Sequence, residues 1–222
     1  MKFVYPEIDH EFEISSDKIN TIVIENQRLM SNLLTDLSRQ LNGAEGRAVV
    51  YDNYKIQRTD KYLELLTSFF PLEINKRPLL TKICNELEKN ALTGENYVET
   101  LEVLQRLEAL LVKLSLDISC DIDYNKLDIG TLIKAVGVFL TDDCDTLCER
   151  IVNYFKLVTE FDHAKLFVTL NLRSFVCDDE MNNFMKTILG HDFKLLMIES
   201  FEHPLLELEN RYIIDSDLCE IC

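Results

Sequence analysis

No Gly-Lys pair occurs anywhere in the 222 residues, and the six glycines are scattered singly. That argues against a G-x-x-x-x-G-K-[ST] loop, because backbone amides curl around a phosphate only where glycines free the chain to do so. The natural place for such a loop is where a strand enters a helix near the N-terminus. There the turn reads Glu25-Asn26-Gln27-Arg28, with no glycine between Thr21 and Leu41. A nucleotide ligand is therefore not expected. No G-x-S-x-G elbow is present either. The four histidines (His10, His163, His191, His203) are dispersed, and neither Cys144/Cys148 nor Cys219/Cys222 finds a second pair at zinc-binding spacing. The longest nearly apolar runs, ALLVKLSL and KLLMI, are far too short to span a bilayer. The opening MKFVYPEIDHEFE carries early acids and no apolar leader core. Seven cysteines, an odd number lying mostly within apolar or helical patterns, fit a reduced protein better than a disulfide framework. The expected location is cytoplasmic.

What is present is a large apolar fraction, 47%, which is enough to close a core in one large domain or one domain with an insertion. The net charge is −16, yet it is unevenly distributed. From Arg47 to Lys89 there are 8 basic and 6 acidic residues, a net of +2, which leaves 15 basic and 33 acidic residues, a net of −18, elsewhere. Such a contrast permits a confined positive surface on an acidic particle. Solubility alone also favours an acidic exterior.

The N-terminal part reads as strand, helix, strand. INTIVIEN and RAVVYD have β-branched cores, and between them Leu29, Leu33, Leu37 and Leu41 recur at spacing four on one helical face that Asn42-Gly43 stops. This pattern predicts a βαβ unit in a parallel sheet. Helices are expected from Thr59 to Phe70, Arg77 to Asn90, Asn96 to Leu116, Ile129 to Val138 and Asp145 to Glu160. In the third of these, Leu104, Leu107, Leu111 and Leu114, continued by Ile118, form a seam suited to packing along a second long helix. KLFVTL, KLLMIES and RYIIDSD read as strands around the helix DDEMNNFMKTILG. The fold class expected is α/β, with a head made of residues 1–58 and 161–222 and a helical insertion over 59–160.

One local cluster stands above background. Asp117, Asp121, Asp123 and Asp128 fall within twelve residues, with Asn125 adding an amide oxygen, and D-I-D-Y-N begins like a calcium loop of the EF-hand type. Hard divalent cations take such oxygen ligands. As an EF-hand it fails, since Lys126 stands where the sharp turn needs glycine and Leu132 where a bidentate glutamate belongs. A solvated loop ending in the Asp128 N-cap accounts for the same residues.

Read with its flanks, LDISCDIDYNKLDIGTLIKAVGVFLTDDCDTLCERIVNYFKLV resembles the type II-A CRISPR-associated spacer-acquisition ring proteins, the Csn-two family. So do FVYPEIDHEFEI, VVYDNYKIQRTDKYLELLTSFFPLEIN and KLFVTLNLRSFVCDDE, in the same order along nearly the whole chain. The resemblance implies a P-loop-ATPase-like head without nucleotide motifs and an inserted helical leg. It implies a homotetrameric ring, supported by calcium, that holds double-stranded DNA ends without sequence preference. It implies no enzyme activity, and partnership with the Cas integrase and the RNA-guided Cas nuclease. By the resemblance, Asp121 and Asp123 match acidic positions of the family loop, as does Asp117, while Asn125, Lys126 and Thr131 replace carboxylates and Asp128 is a further candidate. Lys134 matches a cation facing the hole, Arg150 falls near another, and Lys55, Arg58 and Lys61 belong to the basic stretch. Two other classes stay open from the residues alone: a metal-dependent phosphoesterase using the aspartate loop, and a structural scaffold with the leucine seam as interface.

Overall fold

A computed structural model describes residues 1–222 except Ser16, Asp142, His163, Ala164 and Cys222, so His163 and the terminal Cys222 of the C-x-x-C pair lie outside the described residues. The chain is mixed α/β and divides into two compact units, Met1–Glu73 with Asp142–Cys222, and Ile74–Thr141.

The first unit is organised by strand β3 (Ile19–Ile24), in which every residue is buried. Such a strand must be covered on both faces and hydrogen-bonded on both edges. Its parallel neighbours are β8 (Lys194–Glu199) and β9 (Glu209–Ile214), both from the far end of the chain. The sheet continues through β7 (Leu166–Leu170) to β6 (Leu63–Leu66), again parallel, while β10 (Glu220–Ile221) runs antiparallel to β9. Helix α1 (Gln27–Leu41) follows β3 and buries Leu29, Leu33 and Leu37 as the spacing predicts. Asn26 caps it by accepting from the Leu29 amide at 2.9 Å, and Gly43, at φ +80°, lies just beyond its end. Helices α6 (Leu147–Phe161) and α7 (Asp178–Gly190) complete the α/β layer, with Phe155 stacked on Phe167 of β7 at 3.7 Å. Thr146 and Glu149 close a reciprocal capping box at the start of α6.

Two sequence expectations are corrected here. The βαβ unit does not form: β4 (Val49–Asp52) pairs antiparallel with β1 (Lys2–Val4), in a separate sheet ordered β2–β1–β4–β5, where β2 is Phe12–Glu13 and β5 is Lys55–Gln57. A tight turn at Asn53 and Tyr54, both at positive φ, folds β4 straight into β5 and commits it to hairpin geometry. The helix expected over 59–70 ends as α2 (Thr59–Tyr62), and the next residues become β6 because Leu63 and Leu66 are buried alongside β7. Tertiary pairing outweighs helix propensity over so few residues. β6 and α6 consequently belong to the first unit, whose boundaries fall at 73 and 142, inside the expected 58 and 161.

The small sheet is fastened to α1 by Tyr5, whose hydroxyl donates to Asp36 at 2.8 Å and accepts from Arg47 at 2.6 Å. Arg47 also pairs with Asp36 at 2.7 Å and with Glu7.

At the carboxyl ends of β7 and β8 lies a buried ionic network. Arg173 pairs with Glu209 at 3.1 Å and Asp178 at 2.7 Å, and its amide donates to Glu199 at 3.2 Å. Glu199 is fully buried, and burial, the largest influence, pushes its carboxyl up to about 7. The Arg173 guanidinium opposes that rise, whereas the nearby Glu209 adds to it. The His203 ring stands 3.8 Å away and is held low in pKa chiefly by burial. A carboxyl whose folded value exceeds its unfolded one favours the protonated native state. Its stabilising effect is complete below the ordinary glutamate value and is lost as pH rises through about 7. Glu199→Gln is therefore expected to gain on the parent chain as pH rises from 5 to 8, by on the order of 3 kcal/mol at the upper end. Urea unfolding at a series of pH values measures this, and two parallel stability curves would refute it.

Candidate nucleic-acid interface

The second unit contains α3 (Arg77–Ala91), α4 (Asn96–Ser115) and α5 (Ile129–Val136). Pro78 sits in the first turn of α3, where its missing amide costs nothing. Gly137 ends α5 in the left-handed conformation that glycine adopts without strain. Among the described hydrophobic residues of this unit, Leu79 and Leu104 alone are buried, each 8% exposed. The expected leucine seam on α4 is only partly covered: Leu107 and Leu111 are half-buried and Leu114 is exposed, as is Ile118 beyond the helix. Leu110, Val112, Leu114 and Leu116 are 49–78% exposed.

The aspartate segment joins α4 to α5 without regular structure. Its Tyr124 hydroxyl donates to the Leu111 carbonyl at 2.8 Å, and the Asp123 carboxylate accepts from the Tyr124 amide at 2.9 Å. Asp128 caps α5, with one oxygen taking the Thr131 amide at 2.7 Å and the other the Thr131 hydroxyl at 2.6 Å. These two bonds hold the Asp128 carboxyl below its ordinary pKa, with a smaller contribution from the Lys134 charge. Asp117, Asp121, Asp123 and Asn125 are exposed. Among the described residues no three His, Cys, Asp or Glu side chains come together as a metal site. Within one chain this donor set does not fit a calcium cage: both Asp128 oxygens are engaged, one Asp123 oxygen serves the backbone, and Lys126 adds a positive charge.

The cations divide between the units. Lys134 is exposed on α5 in the helical unit. In the α/β unit, Lys55 on β5 and Lys61 on α2 face solvent, and among the described residues neither makes an ion pair. Arg58, between them in sequence, forks onto Asp60 at 3.0 and 2.6 Å, so its charge is partly answered locally. Arg150 is half-buried on α6 and donates to the Cys144 carbonyl at 3.5 Å.

The Cys144/Cys148 pattern at the start of α6 has a structural explanation. Cys144 accepts from the Asn153 amide at 3.1 Å, and burial pushes the Cys148 thiol up to about 12. A cleft of about 650 Å³ between α6 and α7 is lined by Asp143, Asp145, Glu149 and Glu180 against the single Lys156, a lining that repels phosphate. Sequence reasoning missed the buried Arg173–Glu209 pair. The available signal was a charged residue at the start of a strand run, as in ENRYII, which by itself reads as an exit to solvent.

The family described as CRISPR-associated protein (Cas_Csn2) matches residues 40–218. The CRISPR-associated protein Csn2 of Streptococcus agalactiae is 23% identical over 221 residues, covering 98% of this chain and 96% of that protein.

If Asp128 serves as a helix cap, Asp128→Asn keeps α5 and Asp128→Ala frays it, because asparagine caps as well as aspartate and alanine does not. Amide hydrogen exchange at Thr131 and Leu132 is expected to accelerate severalfold in the alanine variant only. Equal acceleration in both variants would show that the charge matters rather than the cap.

Proposed function

From the premise that the chain belongs to the CRISPR-associated Csn2 family, we propose that it is a non-catalytic adaptation protein that assembles as a homotetrameric ring. In this reading it holds double-stranded DNA ends without sequence preference during spacer acquisition, in company with the Cas integrase and the RNA-guided Cas nuclease. The observation that carries the reading is the uncovered apolar surface of α4. A unit that buries only Leu79 and Leu104 among its described hydrophobic residues, while Leu110, Val112, Leu114 and Leu116 stay in water, is built to be covered by something.

The head is read as P-loop-ATPase-like with the nucleotide function absent. The order β9–β3–β8–β7–β6, all parallel, with α1 leaving the central β3, supports this reading. At the turn where a phosphate would sit, Asn26 instead occupies the Leu29 amide and ties the Ser216 carbonyl at 2.9 Å.

Duplex binding without sequence preference asks only for phosphate contacts. Lys134, Lys55 and Lys61 are the exposed cations for that task, with Arg58 and Arg150 more committed to protein partners. Calcium receives no step in this mechanism, since among the described residues no three acidic side chains come together within one chain. The phosphoesterase reading is the less favoured, because among the described residues no acidic cluster offers it a metal position.

A mobility-shift experiment tests the reading with linear and closed-circular duplexes at two salt concentrations, with calcium or with chelator. Linear duplex alone is expected to shift and to remain intact, with affinity falling steeply as salt rises. Each phosphate contact contributes about 0.9 to the logarithmic salt slope, so Lys134→Glu should flatten it by that much per subunit engaged. DNA cleavage would favour the phosphoesterase, and no shift under any condition would favour the scaffold. Replacing Leu110 and Leu114 by serine is expected to lower the mass in solution from four copies, as measured by sedimentation. A parent chain that sediments as a monomer would remove the ring.

A further inference from the structure

Strands β6, β7 and β8 are adjacent and parallel, so the segments that leave them emerge along the carboxyl edge of the sheet, and the third then crosses to the amino end, where the Leu208 carbonyl accepts from the Ile19 amide at 2.9 Å as β9 begins. At that edge residues 67–73, 171–177 and 200–203 expose Phe70, Phe175 and Phe201, each 49–63% accessible. Phe175 packs edge-on against Phe70 at 5.7 Å and against the buried Phe69 at 5.8 Å, and Phe201 lies 4.7 Å from the His203 ring. These aromatics are displayed by a fixed frame. Arg173, buried beneath, donates to the Pro204 carbonyl at 2.9 Å, and Asn171 accepts from the Ser200 amide at 2.8 Å, so the third loop is tied to the second.

The charge around these side chains has one sign. These segments and the first turn of α7 carry Glu73, Asp178, Asp179 and Glu202, all exposed, and their one Lys or Arg is the buried, doubly paired Arg173. Beyond the loops, Arg211 on β9 reaches Glu202 at 3.0 Å while remaining largely buried. An apolar centre inside a carboxylate rim discriminates among occupants. Duplex phosphates are repelled by it. A second copy of the same face meets carboxylate with carboxylate, which opposes a symmetric contact. What fits is a segment that supplies both apolar anchors and cations.

We propose that this edge of the sheet is a docking surface for a basic polypeptide segment, its apolar side chains resting on Phe70, Phe175 and Phe201 and its lysines or arginines meeting the carboxylate rim. The surface shares no residue with the DNA contacts named above, and it gives the protein a way to hold a nucleic acid and a basic protein at once.

The test places a photo-crosslinking benzoyl-phenylalanine at position 175 or 201 of the full chain, with position 186 on α7 as the control, in the cells that make the protein. The expected product joins position 175 or 201 to a different polypeptide, within a stretch rich in Lys or Arg and apolar residues. Its yield should drop at least tenfold when Glu73→Lys and Asp179→Lys reverse the rim. Crosslinks to this same chain, to DNA, or at the level of position 186 overturn the proposal, as does a yield indifferent to charge reversal. The charge-reversed chain is also expected to shift linear duplex as the parent does. Loss of DNA binding together with crosslinking would place this edge in the DNA machinery and overturn the assignment. Failure of the parent chain to bind DNA, with crosslinking intact, would count against the ring reading alone.

Discussion

Everything in the α/β unit follows from the need to cover β3. Its six residues are all buried, so its backbone groups have no water to fall back on and must find strands on both edges. Those strands are β8 and β9, which lie beyond residue 190. The chain therefore has to return to where it began before its first long strand is satisfied. The whole of 74–141 is an excursion made before that closure, free to take its own fold because no hydrogen bond of the central strand depends on it. The Arg173 network belongs to the same constraint. Returning strands bring Glu199 and Glu209 into the interior, where the buried Arg173 guanidinium pairs with Glu209 and the Arg173 amide donates to Glu199.

How far this was legible in advance depended on the range of the interaction. Spacing four on α1 was enough to place Leu29, Leu33 and Leu37 inward, because a helix reports its own buried face through its period. The Asn26 cap and the Gly137 ending are likewise local. Strand partners are not local. Nothing in Val49-Val50-Tyr51-Asp52 says whether it will lie beside β3 or beside β1, and the hairpin turn at Asn53-Tyr54, which decided it, lacks the glycine that usually announces such a turn. Leu63 to Leu66 shows the same limit from the other side, since four residues fit a helical turn or a strand equally well until β7 offers an edge. The family was readable from the order of whole segments, where no single short motif would have sufficed.

The candidate site separates along similar lines. A count of charges cannot tell a cation that is available from one already engaged. Arg58 and Lys61 are three residues apart and look alike in the sequence. Arg58 is bound in a fork to Asp60, and Lys61 stands in solvent. The aspartate segment teaches the same lesson for acids. Asp128 reads equally as ligand or cap from its position, and two bonds from Thr131 give both of its oxygens to the cap. Carboxylates so engaged stabilise a helix start through directed hydrogen bonds, which is a different task from wrapping a cation.

The two exposed apolar surfaces of this chain differ in charge, and that difference bears on what each can meet. Along α4 the signs are ordered: Glu99 and Glu102 lie toward its start, Arg106 follows with Glu108, and Lys113 sits in the last turn. Two such helices laid antiparallel bring the acidic end of one beside the basic end of the other, so the apolar stripe can close on its own copy without opposing like charges. At the sheet edge the rim carboxylates have no exposed cation among them, and the same face of a second copy supplies none. Apolar area is non-directional and would let either surface stick to the other. The charges supply the direction, making the helix face self-complementary and the sheet edge complementary only to something basic. A chain carrying an excess of acid can thus keep one apolar surface for copies of itself and a second for a foreign chain, without either being masked by the wrong occupant.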